Sequence, residues 1–289
     1  MQIRTDLALE RREMCGKDEL SGVRMRRRSN ADSVTTIIDI LNEKGEEAIQ
    51  KPVGTYITVE TDGFPDCTAL CDGRLDALCE ALRELLPPEG DILAVGLGNT
   101  DITPDALGPE CASMILATRH LPQSTKDELG LPEMRTVSVI TPGVAGKTGI
   151  ETTEIIAGVV RKIKPAAVLT VDALASRSVS RLARTVQLCN TGIEPGSGVG
   201  NCRKAVNEKT LGVPVIAIGV PTVVDAVSLA RDVLGEYGEY TTPPEEYASM
   251  MVTPRDTDVI TSSAAKFIAL AVNCSLQKNL TREEIISLM

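Results

Sequence analysis

The chain has 289 residues, of which 43% are hydrophobic and 2% aromatic, and its formal net charge is −10 at pH 7. A chain of this length and composition can bury one large core or two modest ones. Its negative charge and few aromatic rings argue against a nucleic-acid binder, which needs cations for phosphates and rings for bases. We expect no direct nucleic-acid partner. The basic cluster at 24–28 is interpreted as a solvated segment, with a nucleic-acid contact as the alternative.

The N-terminus and the cysteines predict a cytoplasmic protein that needs no cofactor. Residues 1–10 are charged and lack the apolar core of a signal peptide. We find no run approaching about 20 apolar residues and expect no membrane span. Cys67, Cys71 and Cys79 lack the paired Cys-x-x-Cys spacing of a zinc site, and the single histidine, His120, is distant in sequence. Reduced thiols in a cytosol are the simplest interpretation.

The N-terminal part of the chain predicts an arm followed by a folded domain. Residues 1–30 are charged and poorly patterned, so we expect a mobile arm there and a single α/β domain at 31–289. The apolar spacing that follows Asp32 predicts a helix. Residues 56–61 alternate as in a strand, and Asp72 begins a predicted helix with a stripe of leucines.

The rest of the chain alternates apolar strands with helices. The predicted strands are 92–96, 136–141, 166–171 and 213–219. The predicted helices follow Asp105 and Ser178, begin near Val224, and occupy 151–162, 262–276 and 281–288. Strands that are apolar throughout indicate a mainly parallel central sheet covered by helices on both faces. The predicted fold class is therefore α/β.

Two aspartates follow apolar strands in the same short motif. Asp105 and Asp172 each begin an Asp-Ala-Leu sequence, in the predicted loops 98–109 and 172–178. Loops that follow parallel strands gather at one edge of the sheet, where ligands bind in α/β folds. Two carboxylates there could activate water by general acid/base chemistry. The alternative for Asp105 is an N-cap of the next helix. Asp172 directly ends an apolar strand, where solvation is poor.

Other motifs allow different chemistry. The Gly146-Lys147-Thr148 loop could form an anion-binding nest or a tight turn, but it is no Walker A motif because position 141 is threonine. The glycines of 195–201 match a dinucleotide-binding motif only loosely. Ser176 and Ser178 would need a base, and His120 ends a helix, where a structural role is usual. A metal held by Asp105, Asp172 and His120 remains an alternative.

Several long segments resemble the germination protease family of spore-forming Firmicutes. They occur in the family's order and are 103–109, 142–152, 171–177, 191–201, 219–226 and 250–254. The resemblance implies an endopeptidase that degrades small acid-soluble spore proteins during germination. It also implies an α/β fold similar to that of hydrogenase-maturation peptidases, and an atypical aspartic-type mechanism. The family's two aspartates match Asp105 and Asp172.

The resemblance further implies a self-processing zymogen. Residues 4–10 match the family's processing pattern, in which an acidic residue precedes a small apolar one, so Asp6-Leu7 is the expected scissile bond. The propeptide would then be 1–6, shorter than in the better-known Bacillus members. A homotetramer in the cytoplasm of the forespore and spore core is expected.

Roles within the site follow from local surroundings. We expect Asp105 to be the base, because the first turn of a helix favours its ionised form, and Asp172 to hold the proton, because desolvation favours its neutral form. Side chains expected to contact substrate or support the site are Asn99, Lys147, Ser176 and Arg177. The alternatives are a metal-dependent peptidase of the maturation type and a phosphate- or nucleotide-binding module that uses the Gly146-Lys147-Thr148 loop.

Overall fold

The computed structural model describes residues 5–16, 19–64, 72–122, 124, 128, 133–196, 203–234, 247 and 250–289. In these residues the strands are β1 (Val23–Ser29), β2 (Ser33–Ile40), β3 (Gly54–Thr61), β4 (Ile92–Gly96), β5 (Val137–Ile140), β6 (Ala167–Ser176), β7 (Thr185–Cys189), β8 (Val215–Asp225) and β9 (Met251–Val252). The helices are α1 (Ala8–Met14), α2 (Glu43–Ile49), α3 (Gly73–Leu85), α4 (Leu107–Met114), α5 (Ala145–Thr148), α6 (Thr152–Ile163), α7 (Glu208–Leu211), α8 (Ala226–Leu234), α9 (Thr257–Leu276) and α10 (Arg282–Leu288). Short 3-10 helices span Thr103–Asp105 and Val179–Arg181.

All nine strands belong to one sheet, in the order β1-β2-β3-β7-β8-β6-β4-β5, with β9 paired to β8. Strands β5, β4, β6 and β8 are parallel to one another. Strands β1, β2, β3, β7 and β9 extend this parallel unit by antiparallel pairing. The predicted α/β class is confirmed, and the sheet is mixed, with its parallel strands together.

Helices cover both faces of the sheet because its central strands are apolar on both sides. On one face, α3, α4 and α9 pack against alternate residues of β4, β6 and β8 in one large apolar cluster. On the other face, α6 and α7 pack against β4 and the start of β6. Helix α1 packs on that second face against β2 and β3. Among the described residues, a gap between the α6 and α1 clusters leaves part of β6, β8 and β7 uncovered by helices.

The predicted N-terminal arm and the helix after Asp32 are wrong for the described residues. Residues 23–29 form strand β1, and 33–40 form strand β2, which β1 and β3 flank. Strand β2 is buried on both faces, so its apolar residues do not alternate and their spacing mimics that of a helix. The basic cluster lies in β1, where Arg24 and Arg26 pair with Asp39 of β2 at 3.0 and 3.2 Å.

The predicted catalytic loop 172–178 is strand as far as Ser176. Strand β6 continues through Asp172 to Ser176, and β8 continues to Asp225, with the two strands paired as far as Ser176 and Val224. Helix α8 consequently begins at Ala226, where the Asp225 carboxylate accepts backbone N–H groups of the first turn. The small residues after Asp172 fit an extended chain as well as a loop, and the pairing with β8 selects the strand.

Helix α9 is long and apolar enough to cross a membrane by length and composition, although no run of that length stands out in the sequence. Of its apolar window, 72% is buried inside the protein, as in a core helix. Interpretations that involve Cys67, Cys71 or residues 197–202 lie outside the described residues.

Candidate active site

Asp105 and Asp172 line one cavity of about 980 Å³. The cavity lies on the face of the sheet that α1 and α6 leave open, over strands β6, β8 and β7. The N-terminal residues Thr5 and Asp6 line it as well. The site therefore combines the two predicted aspartates with the predicted processing segment, at the carboxyl ends of the parallel strands and over the neighbouring sheet face.

Asp172 is held by β6 in a row of residues that crosses three strands. Asp172 pairs with Gly219 of β8, and Gly219 pairs with Gln187 of β7. Paired residues point to the same face of a sheet, so Asp172 and Gln187 flank a position that has no side chain. A Cβ at Gly219 would lie 2.6 Å from the backbone oxygen of Asp172 and 2.7 Å from Leu174 Cγ. Glycine is required there because the Asp172 backbone and the Leu174 side chain pack closely against this position.

Asp105 reaches the cavity from the 3-10 helix that precedes α4. Its backbone oxygen accepts the Asn99 N–H at 3.0 Å, and the Thr222 hydroxyl of β8 donates to the Pro104 oxygen at 2.7 Å. Helix α4 approaches the sheet closely at Gly108, where a Cβ would lie 2.4 Å from the Val171 oxygen. The N-cap of α4 is Ala106, without a side-chain cap. The alternative role of Asp105 as an N-cap is therefore wrong.

The two carboxyl groups differ in their electrostatics. Burial raises the pKa of Asp105 to about 6, while hydrogen bonding from the Asn99 backbone and the nearby Arg203 cation oppose the rise. Asp172 is 5% exposed. Burial, then repulsion by the Asp105 and Asp6 carboxylates, raises the pKa of Asp172 well above its usual range, although the Ala173 N–H favours its charged form. Near neutral pH, these effects favour an ionised Asp105 beside a protonated Asp172.

The N-terminal segment bonds to β6 near Asp172. Strand β4 ends beside Val171, and Asp6 contacts β6 beyond that point, at Ala175. The Asp6 N–H donates to the Ala175 oxygen at 2.9 Å, and the Ala175 N–H donates to the Asp6 carboxylate at 2.9 Å. The segment therefore lies in the cleft, bonded to the β6 backbone through Asp6.

Glu10 anchors this segment to the end of β6. Its buried carboxylate accepts the Arg177 and Ser178 N–H groups at 2.7 and 3.0 Å. The Thr5 hydroxyl donates to the same carboxylate and accepts the Leu7 N–H at 3.0 Å. Leu7 is fully buried. The predicted Asp6-Leu7 bond is thus fixed on both sides.

The other predicted site residues differ in whether they line the cavity. Asn99 lines it, whereas Lys147 is outside its lining and forms an exposed ion pair with Asp101 at 2.6 Å. Ser176 is fully buried and donates to the Ser178 oxygen at 3.1 Å, and the Arg177 backbone contacts Glu10. Both are therefore placed to support the N-terminal segment.

His120 is exposed and does not line the cavity. A metal site built from Asp105, Asp172 and His120 is therefore not assembled, because its histidine lies away from the two aspartates.

Three contacts of the site were not predicted from sequence: those of Glu10, Ala175 and Gln187. Gln187 is a polar residue inside a short apolar strand, and this was the available signal for it. Glu10 looked like one charge among many in a charged segment. Ala175 contributes only backbone groups, which carry no sequence signal.

These features define the class as an α/β protein with a carboxylate pair in a cleft that an extended chain segment enters. A family model described as germination protease matches residues 4–239. The chain therefore belongs to the germination protease family, and membership makes it a protease of spore germination.

Curated relatives agree with this assignment. Germination proteases from Caldanaerobacter subterraneus subsp. tengcongensis and Clostridium perfringens (strain SM101) are 43% and 41% identical, over 99% and 98% of this chain and 98% of each relative. The germination protease of Oceanobacillus iheyensis is 44% identical over 81% of this chain and 67% of that protein.

Among solved structures, the NiFe hydrogenase maturation protease HycI from Thermococcus kodakarensis matches with a TM-score of 0.35 and 16% identity. The match covers 65% of this chain and 98% of that protein. The likeness is weak, and the fold class rests on the sheet and helices described above.

Proposed function

We propose that this chain is an endopeptidase that starts the degradation of small acid-soluble spore proteins during germination. It is made as a zymogen that cleaves its own Asp6-Leu7 bond, and it acts through Asp105 and Asp172. The observation that carries the proposal is that Asp6, Asp105 and Asp172 line one cavity, with Asp6 bonded to Ala175 of β6.

The different pKa values of the two carboxyl groups support a division of labour. A water molecule between them attacks the carbonyl carbon of the scissile peptide, and ionised Asp105 takes the proton of that water. Protonated Asp172 donates a hydrogen bond to the carbonyl oxygen, which gains negative charge. Asp105 then transfers this proton to the Leu7 nitrogen, the bond between the Asp6 carbonyl carbon and that nitrogen breaks, and the new N-terminus is released. No cofactor takes part in these steps.

We expect the cellular location, the oligomeric state and the substrates of this enzyme to be those of the family it resembles. The enzyme acts in the cytoplasm of the forespore and spore core, as a homotetramer, and its substrates are small acid-soluble spore proteins. Removal of residues 1–6 takes Asp6 away from Ala175 and opens this part of the cleft to the next peptide.

Cleavage of a purified small acid-soluble spore protein tests the aspartate mechanism. The wild-type chain, Asp105→Asn and Asp172→Asn are compared by mass spectrometry of fragments, with and without a chelator. We expect both variants to lose cleavage while their thermal unfolding stays cooperative, and the chelator to have no effect. Asp258→Asn, an exposed aspartate of α9, is the matched control.

Full activity in either site variant would overturn the aspartate mechanism. Loss of wild-type activity with the chelator, restored by one metal ion, would favour the metal-dependent alternative. A wild-type chain that leaves the spore protein intact would overturn the proposed substrate.

A further inference from the structure

The side-chain amide of Gln187 contacts the backbone on both sides of the predicted scissile bond. Its Nε2 donates to the Asp6 backbone oxygen at 2.9 Å. Its Oε1 accepts the Ala8 N–H at 2.6 Å. The Asp6-Leu7 peptide bond lies between these two contacts. Gln187 is 7% exposed, so both hydrogen bonds form largely shielded from water, where they are strongest.

The sheet places the Gln187 amide across from Asp172, the aspartate that holds the proton in the proposed mechanism. Asp172, Gly219 and Gln187 form one row across β6, β8 and β7. Neighbouring strands are about 4.8 Å apart, so the Asp172 and Gln187 backbones are about 10 Å apart across the glycine. The Asp6 carboxylate is close enough to Asp172 to raise the pKa of that aspartate.

We propose that Gln187 is a catalytic residue of this protease that holds the scissile peptide and stabilises negative charge on its carbonyl oxygen. This inference rests on the proposed cleavage at Asp6-Leu7. The hydrogen bond from Nε2 strengthens as water attack makes the carbonyl oxygen negative. The contact with Ala8 fixes the peptide in register, so that the carbonyl carbon stays beside the aspartate pair. Gln187 itself gains and loses no proton.

An amide suits this role better than a carboxylate. A neutral amide offers a donor and an acceptor together, and the Asp6-Leu7 segment requires both. An ionised carboxylate would only accept, and it would repel the developing oxyanion. The acceptor contact involves the second residue after the cut, so Gln187 would bind spore-protein substrates through backbone groups and tolerate varied side chains there.

Self-processing of the full-length chain tests the role. Gln187→Leu, Gln187→Glu and the wild type are incubated, and the fraction cleaved is followed by intact mass. Loss of one oxyanion donor lowers rates by about 100-fold to 1000-fold, and we expect a loss of at least that size in Gln187→Leu. In Gln187→Glu, the new carboxyl can donate only when protonated. Its rate relative to the wild type should therefore rise as the pH is lowered.

Gln277 provides a matched control far from the cleft. Its side chain makes the same pair of contacts with one backbone segment, accepting the Arg135 N–H and donating to the Arg135 oxygen, both at 3.0 Å. Gln277 is also buried. Gln277→Leu should therefore lose a similar amount of stability and still process at the wild-type rate.

The outcomes separate this inference from the proposed function. Processing of Gln187→Leu within about threefold of the wild type, or equal slowing in Gln277→Leu, would overturn the role of Gln187 while leaving the aspartate mechanism in place. If Gln187→Leu does not fold, the isosteric Gln187→Glu decides, and wild-type rates in it at all pH values would overturn the role. A wild type that is never cut at Asp6-Leu7 would instead overturn the proposed function.

Discussion

Replacement of Asp105 by asparagine should stabilise the protein above neutral pH. Burial raises the pKa of Asp105 to about 6, whereas an aspartate in an unfolded chain has a pKa of about 3.9. The folded state therefore keeps a proton that the unfolded state has lost between about pH 4 and pH 6. Stability from the neutral carboxyl is lost as the pH rises through this interval. Above it, the ionised carboxylate destabilises the fold.

The size of this effect follows from the difference in pKa. About two pH units correspond to about 3 kcal/mol. Asp105 is only half-buried, so solvent screening reduces the contribution to about 1–2 kcal/mol. Asp105→Asn, which removes the charge and keeps the shape, should therefore gain about 1–2 kcal/mol at pH 8 and nothing at pH 4.

Urea unfolding at a series of pH values measures the difference. The comparison is best made between Asp172→Asn and the double variant Asp105→Asn/Asp172→Asn, because neither should cleave itself. Asparagine at position 172 also imitates the protonated state of that aspartate. Asp258→Asn controls for loss of an exposed carboxylate. A difference that is independent of pH, or a double variant that is less stable at pH 8, would refute the electrostatic reasoning.

Two further substitutions test the packing of the site. Gly219→Ala places a Cβ 2.6 Å from the Asp172 backbone oxygen, so it should cost about 1–3 kcal/mol in thermal unfolding and slow self-processing; an unchanged rate would show that this close packing does not hold Asp172 in place. Glu10→Gln weakens the contacts with the Arg177 and Ser178 N–H groups. It should cost about 1.5–3 kcal/mol in urea unfolding, and unchanged stability would show that this carboxylate does not anchor the segment.

The sequence predicted the parallel part of the fold because burial on both faces leaves a local signal. The apolar runs at 92–96 and 166–171 could be recognised as strands because helices cover them on both sides. The antiparallel part left a weaker signal. Strand β1 is exposed and basic, and its position depends on pairing with β2 and on Asp39.

The candidate site, like the fold, could be predicted from the sequence only in part. Asp105 and Asp172 could be paired because Asp105 follows β4 and Asp172 lies in β6, and these strands are neighbours in the parallel part of the sheet. The environment of Asp105 was predicted less well, because burial rather than the start of a helix dominates its pKa. Gln187 contacts a residue 181 positions away. No local pattern reports a contact between such distant residues.

The most direct test of self-processing by the aspartate pair is the intact mass of the freshly purified full-length chain during incubation. We expect loss of residues 1–6 and a single new N-terminus at Leu7, with no change in Asp172→Asn under the same conditions. A new N-terminus at any other residue, or processing of Asp172→Asn at the wild-type rate, would contradict it.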